Sequence, residues 1–126
     1  MKQVFHNIII NALQAMPGGG RLTIKTSKRR SGGRRRQKRN WMCIEFIDTG
    51  VGIPKDKIKE IFEVYYTMKK SGTGLGLAIA RQIVEGHAGN IQVKSEADKG
   101  TDMIINLPIR EGHEKIKAAR AYHRNA

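Results

Sequence analysis

Residues 48–54 read Asp-Thr-Gly-Val-Gly-Ile-Pro, and the chain on either side is parsed from this stretch. An apolar run over residues 41–47 leads into it and predicts a strand ending at Asp48. Gly50 and Gly52 then break the strand. Glycine admits positive φ and lets a ligand come close to the backbone. Asp48, at the strand end, offers a carboxylate that can accept a hydrogen bond from an exocyclic amine. Pro54 suits the first turn of a helix. Ile58, Ile61 and Phe62 predict that helix's apolar face, and the helix runs to Glu63. Taken alone, the stretch reads equally as an ordinary Asp-Thr-Gly turn.

Upstream lies the most basic part of the chain. Residues 28–39, KRRSGGRRRQKR, hold eight of the 24 Lys and Arg residues and no acid. The net charge of +13 thus has a local origin, because the other 16 basic residues against 11 acidic ones leave +5. Before this segment Leu22, Ile24 and Thr26 alternate with Arg21, Thr23 and Lys25 and predict a strand. Two strands around a basic, glycine-containing segment predict a hairpin with arginines at its tip, Trp41 and Cys43 being hairpin side chains. Further upstream, Phe5, Ile8, Ile9, Ala12, Leu13 and Met16 recur at three- and four-residue spacing. They predict an amphipathic helix over residues 3–16, stopped by Pro17 and the glycines at 18–20. Gln3, Asn7, Asn11 and Gln14 form a polar stripe beside the apolar one. A solvated helix face accounts for such a stripe. Asn is nevertheless a mediocre helix former, and a neutral amide oxygen suits Mg²⁺.

Downstream, residues 64–72 show no period and predict a loop. Residues 71–80, SGTGLGLAIA, place three glycines at alternating positions before a helix that opens at Thr73 or Gly74. Exposed backbone N–H groups at such a helix start bind anions. Lys69 and Lys70 stand just before it. The lysine does not follow the glycines, as a Walker A loop requires. No βαβ unit surrounds Gly72, Gly74 and Gly76, as a dinucleotide fingerprint requires. A flexible glycine-rich loop is the plain alternative. Leu75, Ile79, Ile83 and Val84 predict the helix's buried stripe, and residues 86–89 end it. Two strands over 91–95 and 103–107, joined by a turn at 97–101, follow; residues 111–126 read as a polar tail or short helix.

The order helix, hairpin, helix, loop, helix, hairpin predicts an α+β two-layer sandwich, with a mostly antiparallel sheet and three helices on one face. At 126 residues one domain is expected. Apolar residues at 39% and charged ones at 28% fit a globular chain. No apolar run is long enough for a membrane span or a signal peptide. A single cysteine excludes an internal disulfide, and a reducing, cytoplasmic setting is the simplest reading. The arginines are not interleaved with aromatics, which argues against nucleic acid as the main ligand.

Three segments in order say more than any one. The sequence resembles the catalytic ATP-binding domain of sensor histidine kinases, within the superfamily of type II topoisomerase, heat-shock chaperone and mismatch-repair ATPases. Residues 3–16 look like its N box, 48–54 its G1 box, 61–69 its F box, 72–79 its G2 box, and KGT at 99–101 its last glycine motif. The resemblance runs from about residue 2 to Ile109 and implies the Bergerat ATP-binding fold over residues 1–110, with 28–40 a basic hairpin insertion.

By this resemblance Asn11 would coordinate Mg²⁺, with Asn7 beside the phosphates and Gln14 on the same helix. Asp48 would accept from the adenine amine. Gly50, Gly52, Ile53 and Thr101 would complete the base pocket. Gly72, Thr73, Gly74, Leu75, Gly76 and Leu77 would form the lid on the phosphates. Lys69 and Lys70 would place cations near the γ-phosphate, and Phe62 would pack the lid base. ATP and Mg²⁺ are the implied ligands. The implied activity is transfer of the γ-phosphoryl group to a histidine on a dimerisation domain. A response regulator would act downstream, and the isolated domain would be monomeric. His6 and His87 lie outside a dimerisation-helix context, and His113 and His123 lie in the polar tail. Apart from the resemblance, the charge of residues 28–39 suits contact with an acidic partner or lipid headgroups, and a solvated hairpin tip is the plain alternative. Hydrolytic relatives carry a glutamate four residues before the metal-binding asparagine. Here that residue is Asn7, which cannot be a base at neutral pH. Val64, Tyr65 and Tyr66 replace the usual proline and phenylalanines of the F box. The resemblance also implies a first edge strand and a dimerisation domain ahead of the N box, so the chain reads as an excised domain.

Overall fold

The computed structural model describes residues 1–31, 39–63 and 76–109. Among these, the chain forms α1 (Lys2–Gln14), β1 (Leu22–Ser31), β2 (Arg39–Asp48), α2 (Gly76–Gly86), β3 (Asn90–Ser95) and β4 (Thr101–Ile109). The four strands make one antiparallel sheet in the order β1-β2-β4-β3. Two hairpins are therefore joined through their inner strands, so β1 and β3 are the edges.

The pleat decides which side chains meet the helices. Ile44 lies opposite Ile105, Phe46 opposite Met103, and Asp48 opposite Thr101 across the inner pair. This parity faces the helices, and Ile44, Phe46, Met103 and Ile105 are buried with Val4, Ile8, Ala80 and Val84 in one core. Removing a side chain of this size from water stabilises the fold by about 1.5–3 kcal/mol. Cys43 and Ile104 have the other parity and are buried too. The ring centroids of Phe5 and Phe46 lie 5.6 Å apart in a tilted arrangement, which fixes α1 over β2.

The amphipathic helix predicted at 3–16 begins one residue earlier and ends two residues earlier, and its buried face includes Val4. Leu13, predicted for that face, is 53% exposed. In α2 the buried pair is Ala80 and Val84, and Ile79 and Ile83 are only half-buried. Leu75 lies outside the described residues. The helix ends where Ala88 takes a positive φ of 61° and the Gly89 N–H reaches back to the Val84 carbonyl at 3.0 Å.

The predicted helix at 54–63 is not formed, so the described residues hold two helices rather than three. Instead Lys57, Glu60 and Glu63 donate their N–H groups to the carbonyls of Pro54, Lys57 and Glu60, a chain of three-residue turns. Ten residues are too few to favour a helix without tertiary support. The turns still bury Ile61 and half-bury Ile58 and Phe62, so the predicted apolar face survives without the helix.

Candidate functional site

The site lies where β2 ends and β4 begins. Asp48 is the last residue of β2 and is only 7% exposed. Its Oδ1 accepts the Gly50 N–H at 2.9 Å and the Thr101 N–H at 3.2 Å. Among the described residues no hydrogen bond reaches Oδ2. One oxygen thus fixes the side chain and the other remains to accept from a ligand, and an ionised carboxylate forms the stronger class of hydrogen bond.

The turn after Asp48 is held from two sides. The Val51 N–H donates to the Ala15 carbonyl at 3.0 Å, and the Asp98 N–H donates to the Val51 carbonyl at 2.6 Å. Gly52 has φ +71°, and a Cβ there would run into the Glu96 carbonyl. Gly100 has φ +86° and packs as closely against the Asp48 carbonyl. Both backbone shape and space therefore demand glycine.

Ser95, which sequence reasoning missed, ties the pieces together. Its Oγ accepts the Ile53 N–H at 2.8 Å, donates to the Gly100 carbonyl at 2.9 Å and lies 2.8 Å from Thr101 Oγ1. With the Ser95 proton on Gly100, the Thr101 hydroxyl donates to Ser95 and keeps its lone pairs for a ligand. The signal was a parity one: Ile91 and Val93 face the core, and a serine continues their side of β3 at its end. A cavity of about 650 Å³ opens here, with Asp48, Ser95, Gly100, Thr101, Lys55 and Ile58 on its wall. Ligand pockets span roughly 300–1,000 Å³.

The N-box stripe is placed by two contacts. Asn7 Nδ2 donates to the Gly76 carbonyl, the first residue of α2, at 3.0 Å. Ala15, eight residues on, receives the Val51 bond. Residues 7, 11 and 15 share one side of α1, so Asn11 lies between the start of α2 and the turn that follows Asp48. Asn11 is half-buried and Gln14 exposed. Neither Asn7 nor Asn11 lines the cavity around Asp48. Leu77 and Ile53 are partly buried against the core. Phe62 packs there too, with the Arg81 guanidinium 5.7 Å from its ring centre, so it connects the turn segment to α2.

The structure thus brings together Asp48, Gly50, Gly52, Ile53 and Thr101, and separately Asn7 and Gly76, with Asn11 between. Lys69, Lys70, Gly72, Thr73, Gly74 and Leu75 lie outside the described residues, as do 111–126. Among the described residues no three His, Cys, Asp or Glu side chains converge as a metal cluster. None of the described helices is long and apolar enough to cross a membrane.

With this geometry in place, comparison with known proteins is decisive. The family model for the histidine kinase-, DNA gyrase B- and HSP90-like ATPases matches residues 1–111. The chain belongs to this family. It is 41% identical over 117 residues to sporulation kinase E of Bacillus subtilis strain 168, covering 91% of this chain and 14% of that protein. It is 38% identical over 109 residues to the sensor histidine kinase ZraS of Escherichia coli K12, covering 86% of this chain and 22% of that protein. The solved structure of the mycobacterial sensor histidine kinase MprB superposes with a TM-score of 0.70 at 29% identity, covering 84% of this chain and 68% of that one. The α+β architecture is therefore that of a histidine kinase catalytic domain, and ATP is the family's ligand. The chain spans about a seventh to a quarter of the curated relatives it matches.

Proposed function

We propose that this domain binds Mg-ATP and donates the γ-phosphoryl group to a histidine on a separate dimerisation domain, from which a response regulator is served. The observation that carries this is Asp48. One carboxylate oxygen is locked by two backbone N–H groups, and Asp48 lines a cavity that Thr101 also lines. That is the arrangement an adenine amine needs. Gly52 and Ile53 shape the adjoining wall, and the hydroxyl of Thr101 is oriented by Ser95.

Mg²⁺ fits the donor set present. Bound to phosphates it keeps several waters and needs few protein oxygens. The Asn11 amide, half-buried between the start of α2 and the Asp48 turn, is the residue that would hold it. The ion would supply neutralisation of phosphate charge. Lys69, Lys70 and the glycines at 72, 74 and 76 would add further positive charge and backbone N–H groups around the phosphates. Phosphoryl transfer depends on positioning and charge stabilisation more than on covalent help. In the proposed transfer a histidine nitrogen bonds to the γ-phosphorus as its bond to the bridging oxygen breaks, releasing ADP.

Asn7 supports a kinase over a hydrolase. It stands where a water-activating glutamate would sit, and its amide N–H is committed to the Gly76 carbonyl. A neutral amide cannot take a proton from water at physiological pH. Calorimetric titration with ATP, with and without Mg²⁺, tests the reading. Magnesium-dependent binding that AMP does not reproduce is expected. No binding at millimolar ATP would remove the proposal.

A further inference from the structure

Three strand ends meet in one row of the pleat. Asp48 closes β2, Thr101 opens β4 opposite it, and Ser95 closes β3 opposite Thr101. All three line the cavity. Ser95 is the outer member of the row, and its hydroxyl has no capacity to spare. A serine hydroxyl has one proton and two lone pairs. The proton goes to the Gly100 carbonyl at 2.9 Å, and one lone pair takes the Ile53 N–H at 2.8 Å. The second lone pair faces Thr101 Oγ1 at 2.8 Å, and the Thr101 proton fills it. With Ser95 donating to Thr101 instead, the Gly100 carbonyl would sit 2.9 Å from an oxygen with no proton between them. Gly100 is buried, so its carbonyl would lose a hydrogen bond without gaining water.

We propose that Ser95 is a positioning residue for nucleotide selectivity: by holding the Thr101 proton it makes Thr101 an acceptor only, so that Thr101 and Asp48 together receive a 6-amino purine and reject a 6-oxo purine. This rests on the reading of Asp48 as the acceptor of the adenine amine. That amine carries two N–H groups, and the ends of β2 and β4 set two acceptors side by side to meet them. A 6-oxo purine brings an acceptor to the same place. A free threonine hydroxyl could rotate and donate to it, which would blunt the discrimination. The hydroxyl bonded to Ser95 can do so only by giving up that bond. A site whose polar groups are fixed in sense rejects the mismatched base because those groups are left unpaired. Ser95 acts here through Thr101 and not by touching the base.

The test is calorimetric titration of the whole chain with Mg-ATP and with magnesium inosine triphosphate, which carries an oxo group in place of the amine. The parent chain should bind ATP at least about tenfold more tightly. Ser95→Ala releases the Thr101 hydroxyl and should narrow that ratio by about three- to tenfold, the worth of one neutral hydrogen bond. Thr101→Val keeps the shape without the hydroxyl and should narrow it too. Ser95→Ala added to Thr101→Val should then leave the ratio where Thr101→Val put it. A merely structural serine would weaken both nucleotides alike and leave the ratio unmoved. Ser95→Cys fills similar space with a weakly hydrogen-bonding thiol. It should narrow the ratio in the same direction, and it carries the comparison if circular dichroism shows that Ser95→Ala does not fold. The proposal is overturned if the serine variant keeps the parent's ratio, or if it shifts the ratio as much when Thr101 is already valine. A parent chain that binds neither nucleotide, or both equally, removes the adenine reading of Asp48 and this proposal with it.

Discussion

Asp48→Asn separates recognition from folding at one atom. Asparagine keeps an oxygen where Oδ1 accepts the Gly50 and Thr101 N–H groups, so the turn survives. It puts an NH₂ in place of Oδ2, the oxygen proposed to accept the adenine amine, and a donor there repels an amine. Adenine nucleotide affinity should fall by about 1.5–3 kcal/mol, the worth of a charged hydrogen bond, with a much smaller change in unfolding free energy. Calorimetry and chemical denaturation on the same variant check both halves. Gly52→Ala should do the reverse. Its positive φ and the collision with the Glu96 carbonyl should cost about 1–3 kcal/mol of stability, measured by denaturant unfolding. Asp48 and these glycines were legible because their chemistry is local. Ser95 was not, because its role depends on the β3–β4 register that sets it opposite Thr101.

Among elements, the strands and the first helix were legible from period alone, and their limits were set by pairing. β4 runs from Thr101 to Ile109, past the apolar core of residues 103–107, because β2 offers partners that far. Pro108 is tolerated because β3 has ended by Asn106, leaving one side of β4 open. The helix expected at 54–63 failed because Ile58, Ile61 and Phe62, spaced three and one apart, are served equally by successive turns. The sheet's other face holds a group that no motif announced. Asp102 has its carboxyl held above its ordinary value, first by burial and then by the like charge of Glu45, while Lys94 and Lys25 offset part of this. Its Oδ1 is buried and has no hydrogen-bond partner among the described residues. A raised carboxyl means that the folded state holds the proton more tightly than the unfolded chain. Stability therefore falls as pH rises from about 4 through the raised value, and the penalty stays above it. Asp102→Asn, neutral throughout, should be more thermostable than the parent at pH 7. The gap should close as pH is lowered toward about 4, where the unfolded carboxyl also protonates. Melting temperatures across that range decide it, and a gap that does not narrow on acidification would contradict the assignment.

At the scale of the whole molecule, the proposed reading makes this domain the ATP-binding half of a reaction whose chemistry is set by what the other half brings. Among the described residues no histidine stands on a helix of the dimerisation kind. Of the two within described elements or their ends, His6 is exposed on α1, and His87 follows α2 with Nδ1 2.8 Å from the Ile83 carbonyl. No described hydrogen bond joins either to Asp48, and the proposed transfer uses neither as the acceptor. Water is no better a nucleophile, because Asn7 cannot take its proton and its amide is already bonded to Gly76. The chain alone should therefore bind ATP without labelling itself and with little phosphate release. Supplying a matching dimerisation domain in trans should produce acid-labile label on that domain. The rate should be slow and rise with concentration, because separation removes the effective concentration that a linker provides. Asn11→Ala should lower this rate further by withdrawing the oxygen proposed for Mg²⁺, and raising magnesium should recover part of it. Radiolabelled ATP with this chain alone, then with the added domain, measures each step. Acid-labile label on the isolated chain, or rapid phosphate release without an acceptor, would show that a nucleophile resides in these residues and that the division of labour between the two domains is wrong.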